Sequence, residues 1–474
     1  MKRRSLRNNP LAPEAALLVG ANVVLLLAAL AGAGPLLGAV CLAIPLTLAV
    51  AHRPQRGLMA LAALAPFDGL LEVVPHPAAL AAWKEVLLVA VVAATFVAPA
   101  EARGAPGRRL PPWAAGIALL FGLGLVSAVS VGTIQGLVGV KIVFFYVFAA
   151  IAVWRCPFDR RDRDQLVTVL MVVGFVTSVI GIVQQFMGPE RLNALGYEYN
   201  STIRFSGSFM RSFSTFIQPF GFGFFVMTVL LLAMPVAFED LSRRRNRLFV
   251  LVTPVLGLAV LSTIVRGAWL GLAIGVVYLG ARRNRALLLL IPLAAVTILL
   301  LPPEAASSAL SSTSSVERTT GWRTNVSQIS QNPFGVGIGA TGGAAVKAAE
   351  FTGQEKIYQP DNYYMKIALE LGVLGLWFFV LVLVSTFTLA HRQASTGPLE
   401  DRAFASGLSA VVLASAVASM VATYFEIFPM DLLFWVLAGT GATMAVEGRP
   451  VERPQSASAA SYTRAVASTI DRME

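Results

Sequence analysis

Apolar runs of roughly 17–25 residues recur along nearly the whole chain, and that is the length an α-helix needs to cross a bilayer. They lie near 13–33, 35–51, 57–75, 79–99, 113–131, 133–154, 165–187, 216–238, 247–264, 266–281, 286–302, 363–390, 403–424 and 428–446. The run at 57–75 contains Pro66, Asp68 and Glu72 and is expected to be broken or re-entrant. The pattern predicts an all-α integral membrane protein with about 12–14 transmembrane helices. The expected order is a tail at 1–12, spans within 13–302, a long loop at 303–362, three last spans within 363–446 and a tail at 447–474.

Composition agrees. The chain is 56% hydrophobic and 13% charged, where a soluble protein carries about 25% charge. Cys41 and Cys156 lie in or beside apolar runs, with neither metal-ligand spacing nor a disulfide framework. The start "MKRRSLRNNP" is basic, but no clear cleavage site follows the first apolar run; it reads as a cytoplasmic tail. The net charge of +11 is spread in short clusters between apolar runs. That pattern sets topology and does not form a nucleic-acid surface.

With the N-terminus inside, 26 of the 37 lysines and arginines fall in the tails and alternate connections, which the positive-inside rule makes cytoplasmic. The other eleven are Lys84, Lys141, Arg191, Arg204, Arg211, Arg266, Arg318, Arg323, Lys347, Lys356 and Lys366. All map to outer loops or spans. Positive charge kept there against the bias points to an anionic ligand.

Two outer loops, 188–215 and 303–362, exceed the length of ordinary connections. The second opens with "PPEAASSALSSTSS", expected to be flexible. In the first, "NSTIRFSGSFMRSFSTF" carries Arg204 and Arg211 among hydroxyls. Tyr197, Tyr199, Phe205 and Phe209 there are either platforms for sugar faces or an interfacial aromatic belt. Arg266 follows a span so closely that it must stand after a tight turn, near a helix N-terminus. Its fork and the helix dipole would both favour an anion; the plain alternative is an arginine snorkelling to the interface. "GVGIGATG" holds a GxGxxG spacing, but no strand precedes it, so it reads as a tight turn and not a dinucleotide site.

Asp361 precedes the run beginning at Tyr363 and is expected to cap that helix. Lys366 and Glu370, four apart on one helix face, are placed to neutralise each other. His52 and His391 fall at cytoplasmic ends and His76 in a short connection, so none competes as a base.

The stretches "RFSGSF", "VRGAWLGL", "ERTTGWRTNVSQISQNPFGVGIG" and "DNYYMKIALELGVLGL", in that order around a long late loop, resemble the O-antigen ligase and O-antigen polymerase superfamily of bacterial envelope enzymes. The resemblance covers about 200–390. It implies glycosyl transfer on the outer face of the inner membrane, from a glycan on undecaprenyl diphosphate to a saccharide acceptor. It implies no cofactor and no metal. A chain-length regulator is a possible further partner. The two diphosphate-binding arginines of the family correspond to Arg204 and Arg266. The catalytic His of many ligases corresponds to Asp361, and this departure favours a polymerase. Asp361 is then the expected base and Asn362 its orienting neighbour. Arg211, Arg318, Arg323 and Lys366 are further candidates along the substrate path. A ligase-like transferase is the alternative within the class. A flippase for the same lipids is the alternative outside it, and would show pseudo-symmetric halves.

Overall fold

The computed structural model describes residues 47–74, 81–104, 109–283, 285–289, 313–352 and 360–447. The expected segment 13–33, most of 35–51 and of 286–302, most of the soft stretch at 302–315, the N-terminal tail and nearly all of the C-terminal tail lie outside the described residues.

The helices follow the apolar runs. They are α1 Pro54–Leu64, α2 Trp83–Val97, α3 Pro112–Val131, α4 Thr133–Phe144, α5 Val147–Arg155, α6 Arg160–Met187, α7 Pro189–Ala194, α8 Pro219–Glu239, α9 Arg244–Ser262 and α10 Arg266–Arg282. After these come α11 Thr313–Gln331, α12 Gly342–Thr352, α13 Tyr363–Thr396, α14 Leu399–Ala418 and α15 Met430–Glu447. Among the described residues, six are long and apolar enough to cross a membrane: α3, α6, α8, α9, α13 and α14. The pair α4 and α5, bent by 47°, makes a seventh if taken as one span. The protein is therefore an all-α, multi-pass membrane protein. The count of 12–14 is not reached by this criterion, because α1, α2, α10 and α15 are shorter and three expected segments lie wholly or mostly outside the described residues.

Local signals explain where helices start. α6 begins on a capping box: the Asp159 carboxylate accepts from Asp162 N at 2.7 Å, and the Asp162 carboxylate accepts from Asp159 N at 3.2 Å. α8 opens with Pro219 in its first turn, where a missing N–H costs nothing. α8 is apolar all round and 89% of its spanning window is buried, so it is the central helix. It packs on α6, α9, α10 and α14. α3, only 17% buried over its window, is the least covered of these six helices among the described residues. The 57–75 run is broken as expected. α1 gives way at Ala65 to a 3-10 turn through Glu72. That turn tucks under the 188–215 loop, where Thr215 Oγ1 donates to Pro66 O at 2.6 Å.

The bundle has two unlike ends. At one, arginines pair with carboxylates: Arg163 with Asp401 at 3.0 Å, Arg245 with Asp164 at 3.0 Å, Arg243 with Asp164 at 3.2 Å, and Arg160 with Glu400. At the other end α8, α10 and α13 begin, α6 and α14 finish, and the 188–215 loop docks. The loop carries the one strand pair among the described residues, Phe205–Ser206 (β1) against Phe209–Met210 (β2).

α13 is two helical pieces joined at Gly372, whose φ of 69° only glycine adopts readily. The break frees backbone groups, and the glycine run takes them up. Val336 N donates to Leu369 O at 2.8 Å, Gly337 N to Glu370 O at 2.9 Å, and Val373 N to Pro333 O at 3.0 Å. The expected turn after "NPF" is present, closed by Gly335 N to Asn332 O at 2.9 Å. The glycines let backbone meet backbone: a Cβ on Gly372 would lie 2.3 Å from Pro333 O, and one on Gly335 2.4 Å from Glu370 O. The glycine run within the long loop and the helix that follows the loop thus dock directly on each other.

Candidate active site at the loop end

The 188–215 loop folds over a small core of Leu192, Tyr197, Ile203, Met210 and Phe213. Its hairpin is closed by Arg211 N donating to Arg204 O at 2.8 Å. The hairpin is then fastened to the α9–α10 turn. Ser212 N donates to Ser262 O at 3.0 Å, and Arg211 Nε donates to Thr263 O at 2.9 Å. The Arg211 guanidinium also lies 4.8 Å over the Phe220 ring. The turn spans three residues, and Ile264 in it has φ 47°, a costly value for a β-branched side chain. Such strain persists where the surroundings over-determine it. Here it aims Arg266, the first residue of α10.

Arg266 is half-buried at a helix N-terminus, as expected. A cation there opposes the dipole, so an anion would be favoured by both charge and dipole. Arg204 is half-buried, and its Nε donates to Ser201 O at 2.9 Å. Burial draws its pKa below the ordinary arginine value, yet a guanidinium stays ionised. Among the described residues no carboxylate pairs with Arg204. Hydrogen bonds thus tie the hairpin of Arg204 and Arg211 to the α9–α10 turn that precedes Arg266.

α13 begins beside them. Tyr363 N donates to Ser419 O at 2.9 Å, just past α14, and a Cβ on Gly267 would lie 3.0 Å from Val421. The starts of α10 and α13 therefore share the Ser419–Val421 segment. The expected cap is corrected by one residue. Asn362, not Asp361, caps α13: its Oδ1 accepts from Tyr364 N at 2.9 Å and Met365 N at 3.2 Å. Asp361 is exposed, outside the cap. With its oxygen engaged, Asn362 keeps only its amide N–H groups for an orienting role.

Lys366, a candidate along the substrate path, is engaged by carboxylates. It is buried, 2.9 Å from Glu370 and 2.6 Å from Glu426. Glu370 also accepts from Thr341 N at 3.0 Å and Thr341 Oγ1 at 2.8 Å. The neutralisation expected for Lys366 and Glu370 is therefore present. Glu426 and Thr341 are partners that sequence spacing had no means of showing. Burial pushes the Glu426 carboxyl above its ordinary pKa, against the pull of Lys366.

Two more of the eleven cations expected outside have carboxylate partners: Lys84 with Asp68 at 2.5 Å and Lys141 with Glu85 at 2.9 Å. Three of the eleven are thereby explained without a ligand. Arg323 is exposed on α11, which lies over the first turn of α13, Asn325 Nδ2 being 3.6 Å from Met365 Sδ. The Arg318 side chain, Lys356 and the Lys347 side chain lie outside the described residues. His391 sits at the arginine-rich end, hydrogen-bonded to Tyr278 at 2.7 Å and near Arg282. No group of three His, Cys, Asp or Glu among the described residues is placed to hold a metal.

Residues 249–380 match the family described as O-Antigen ligase. This stretch holds Arg266, the glycine run and the start of α13. A protein of Salmonella muenchen named O-antigen polymerase is 25% identical over 308 residues, 59% of this chain and 74% of that protein. Both matches support a likeness to the O-antigen ligase and polymerase superfamily, the one the sequence resembles. Members of that superfamily are glycosyltransferase-like membrane enzymes that act on a lipid-linked glycan. The superfamily match also bears on the packing: two of the stretches that carried the resemblance are the ones that bond across Gly372.

Proposed function

We propose that the protein polymerises saccharide repeat units carried on undecaprenyl diphosphate, by inverting transfer on the outer face of the inner membrane. The observation that carries this reading is the fastening of Arg204 and Arg211 to the turn that presents Arg266, at the end where Asp361 stands exposed. Arg204 and Arg266 hold the donor diphosphate. Asp361 accepts the proton of an acceptor sugar hydroxyl, whose oxygen attacks the anomeric carbon. The bond from that carbon to the diphosphate breaks, and its electron pair leaves on the diphosphate. The arginines stabilise the developing charge. No step calls for a metal.

Polymerase is favoured over ligase on two grounds. Asp361 occupies the position that resemblance assigns to a histidine in many ligases, and the Salmonella relative bears the polymerase name. Deletion of the gene tests the choice. A polymerase leaves single lipid-linked repeats accumulating; unattached long chains would instead identify a ligase.

Two further results are expected. Cysteines at Ser208 and Ser327, both exposed, react with a membrane-impermeant thiol reagent in intact cells. Reaction only after permeabilisation contradicts the orientation. Arg266→Lys keeps the charge but loses the planar fork, so most activity is lost while the protein still inserts. Turnover unchanged at matched expression would make Arg266 an interfacial anchor.

A further inference from the structure

Tyr199 and Phe205 are two large aromatic side chains that the 188–215 loop leaves outside its own core. The other three aromatics of that loop, Tyr197, Phe209 and Phe213, are packed inward. Tyr197 is buried against Phe213, ring centroids 5.0 Å apart, and Phe209 packs on Ile264. Tyr199 and Phe205 instead lie parallel, 10° between planes and 6.4 Å between centroids, at 44% and 43% exposure. The turn that brings them together is well specified. Tyr199 bridges Ile203, Asn200 takes φ 68°, and Asn200 N donates to Ile203 O at 3.0 Å. Arg204 is pinned to the same turn through Ser201 O. Exposed Glu198, Asn200 and Ser201 border the rings with a carboxylate, an amide and a hydroxyl.

We infer that Tyr199 and Phe205 form the subsite for the donor sugar bonded to the diphosphate. This rests on the proposed role of Arg204 as a diphosphate ligand. If Arg204 holds the diphosphate, the next group along the donor is the sugar. Its C–H faces are apolar and its rim is hydroxylated, which suits an aromatic face bordered by hydrogen-bonding groups. A lipid-interface belt would also expose aromatics. Glu198, however, would be repelled by an anionic headgroup layer, whereas it can accept from sugar hydroxyls.

The test compares two probes on purified protein in nanodiscs: undecaprenyl diphosphate, and undecaprenyl diphosphate bearing one hexose. The double variant Tyr199→Ala/Phe205→Ala should weaken binding of the hexose-bearing lipid about three- to tenfold per ring. Binding of the bare diphosphate lipid should not change, which also shows that the variant folds. Tyr199→Phe, which keeps the ring face, should bind like wild type. Equal weakening for both lipids makes the rings a membrane anchor and overturns the proposal. Unchanged binding of both lipids overturns it too. The diphosphate role is read separately, from Arg204→Gln and the bare lipid. If that substitution changes nothing, the donor assignment fails, and the sugar subsite fails with it.

Discussion

Asp361→Asn lowers turnover by a factor on the order of 10²–10⁴, the usual worth of a general base, while the fold stays intact. The structure strengthens the design of this experiment. Asn362 caps α13 through its own Oδ1, so the substitution next to it leaves the cap in place. Asp361 is exposed, so the change buries no new group and leaves no donor unsatisfied. Asparagine is nearly isosteric but takes no proton at neutral pH, so the loss isolates the proton transfer. Thermal stability in detergent should barely move. Asp361→His should restore part of the rate, since imidazole is an effective base near neutral pH. Wild-type turnover in Asp361→Asn would move the base elsewhere in the 303–362 loop.

Lys366→Met has its largest effect on stability. Lys366 is the common partner of two buried carboxylates, Glu370 and Glu426. Removing it leaves them facing each other with no cation, and breaking a buried pair in this way costs about 3–5 kcal/mol. The residues it joins come from three distant places: the first piece of α13, the turn before α15, and, through Thr341, the glycine run. A lower thermal midpoint in detergent is expected, partly relieved by adding Glu426→Gln, which removes the repulsion. An unchanged midpoint would show that the three segments are held without the cluster.

Much of this architecture is legible in the sequence because the signals are local. Length and apolarity predict the spans, and Pro66 with Asp68 predicts the break after α1. The abutting runs at 247–264 and 266–281 predict the tight turn before Arg266. What escapes is non-local or depends on a single residue of register. Asp361 and Asn362 are both good caps, and only backbone geometry decides between them. Lys366 and Glu370 are visible at helical spacing, whereas Glu426 arrives from beyond α14 and Thr341 from the loop. The pairing of Lys84 and Lys141 with carboxylates removes them from the ligand-facing charge that their outer position implied. The glycine run is readable as a turn, but its service to the broken helix at Gly372 needs both partners in place.

The central claim is transfer of a glycan from a polyprenyl diphosphate by the arginine and Asp361 site. The most direct measurement is chain growth by purified protein supplied only with undecaprenyl-diphosphate-linked repeat units, followed by the length of the lipid-linked product. Stepwise longer chains with release of undecaprenyl diphosphate, both strongly reduced in Arg204→Gln, Arg266→Lys and Asp361→Asn, are the predicted result. Repeat units that stay single until lipid A core is added, and are then transferred to it, would contradict polymerisation.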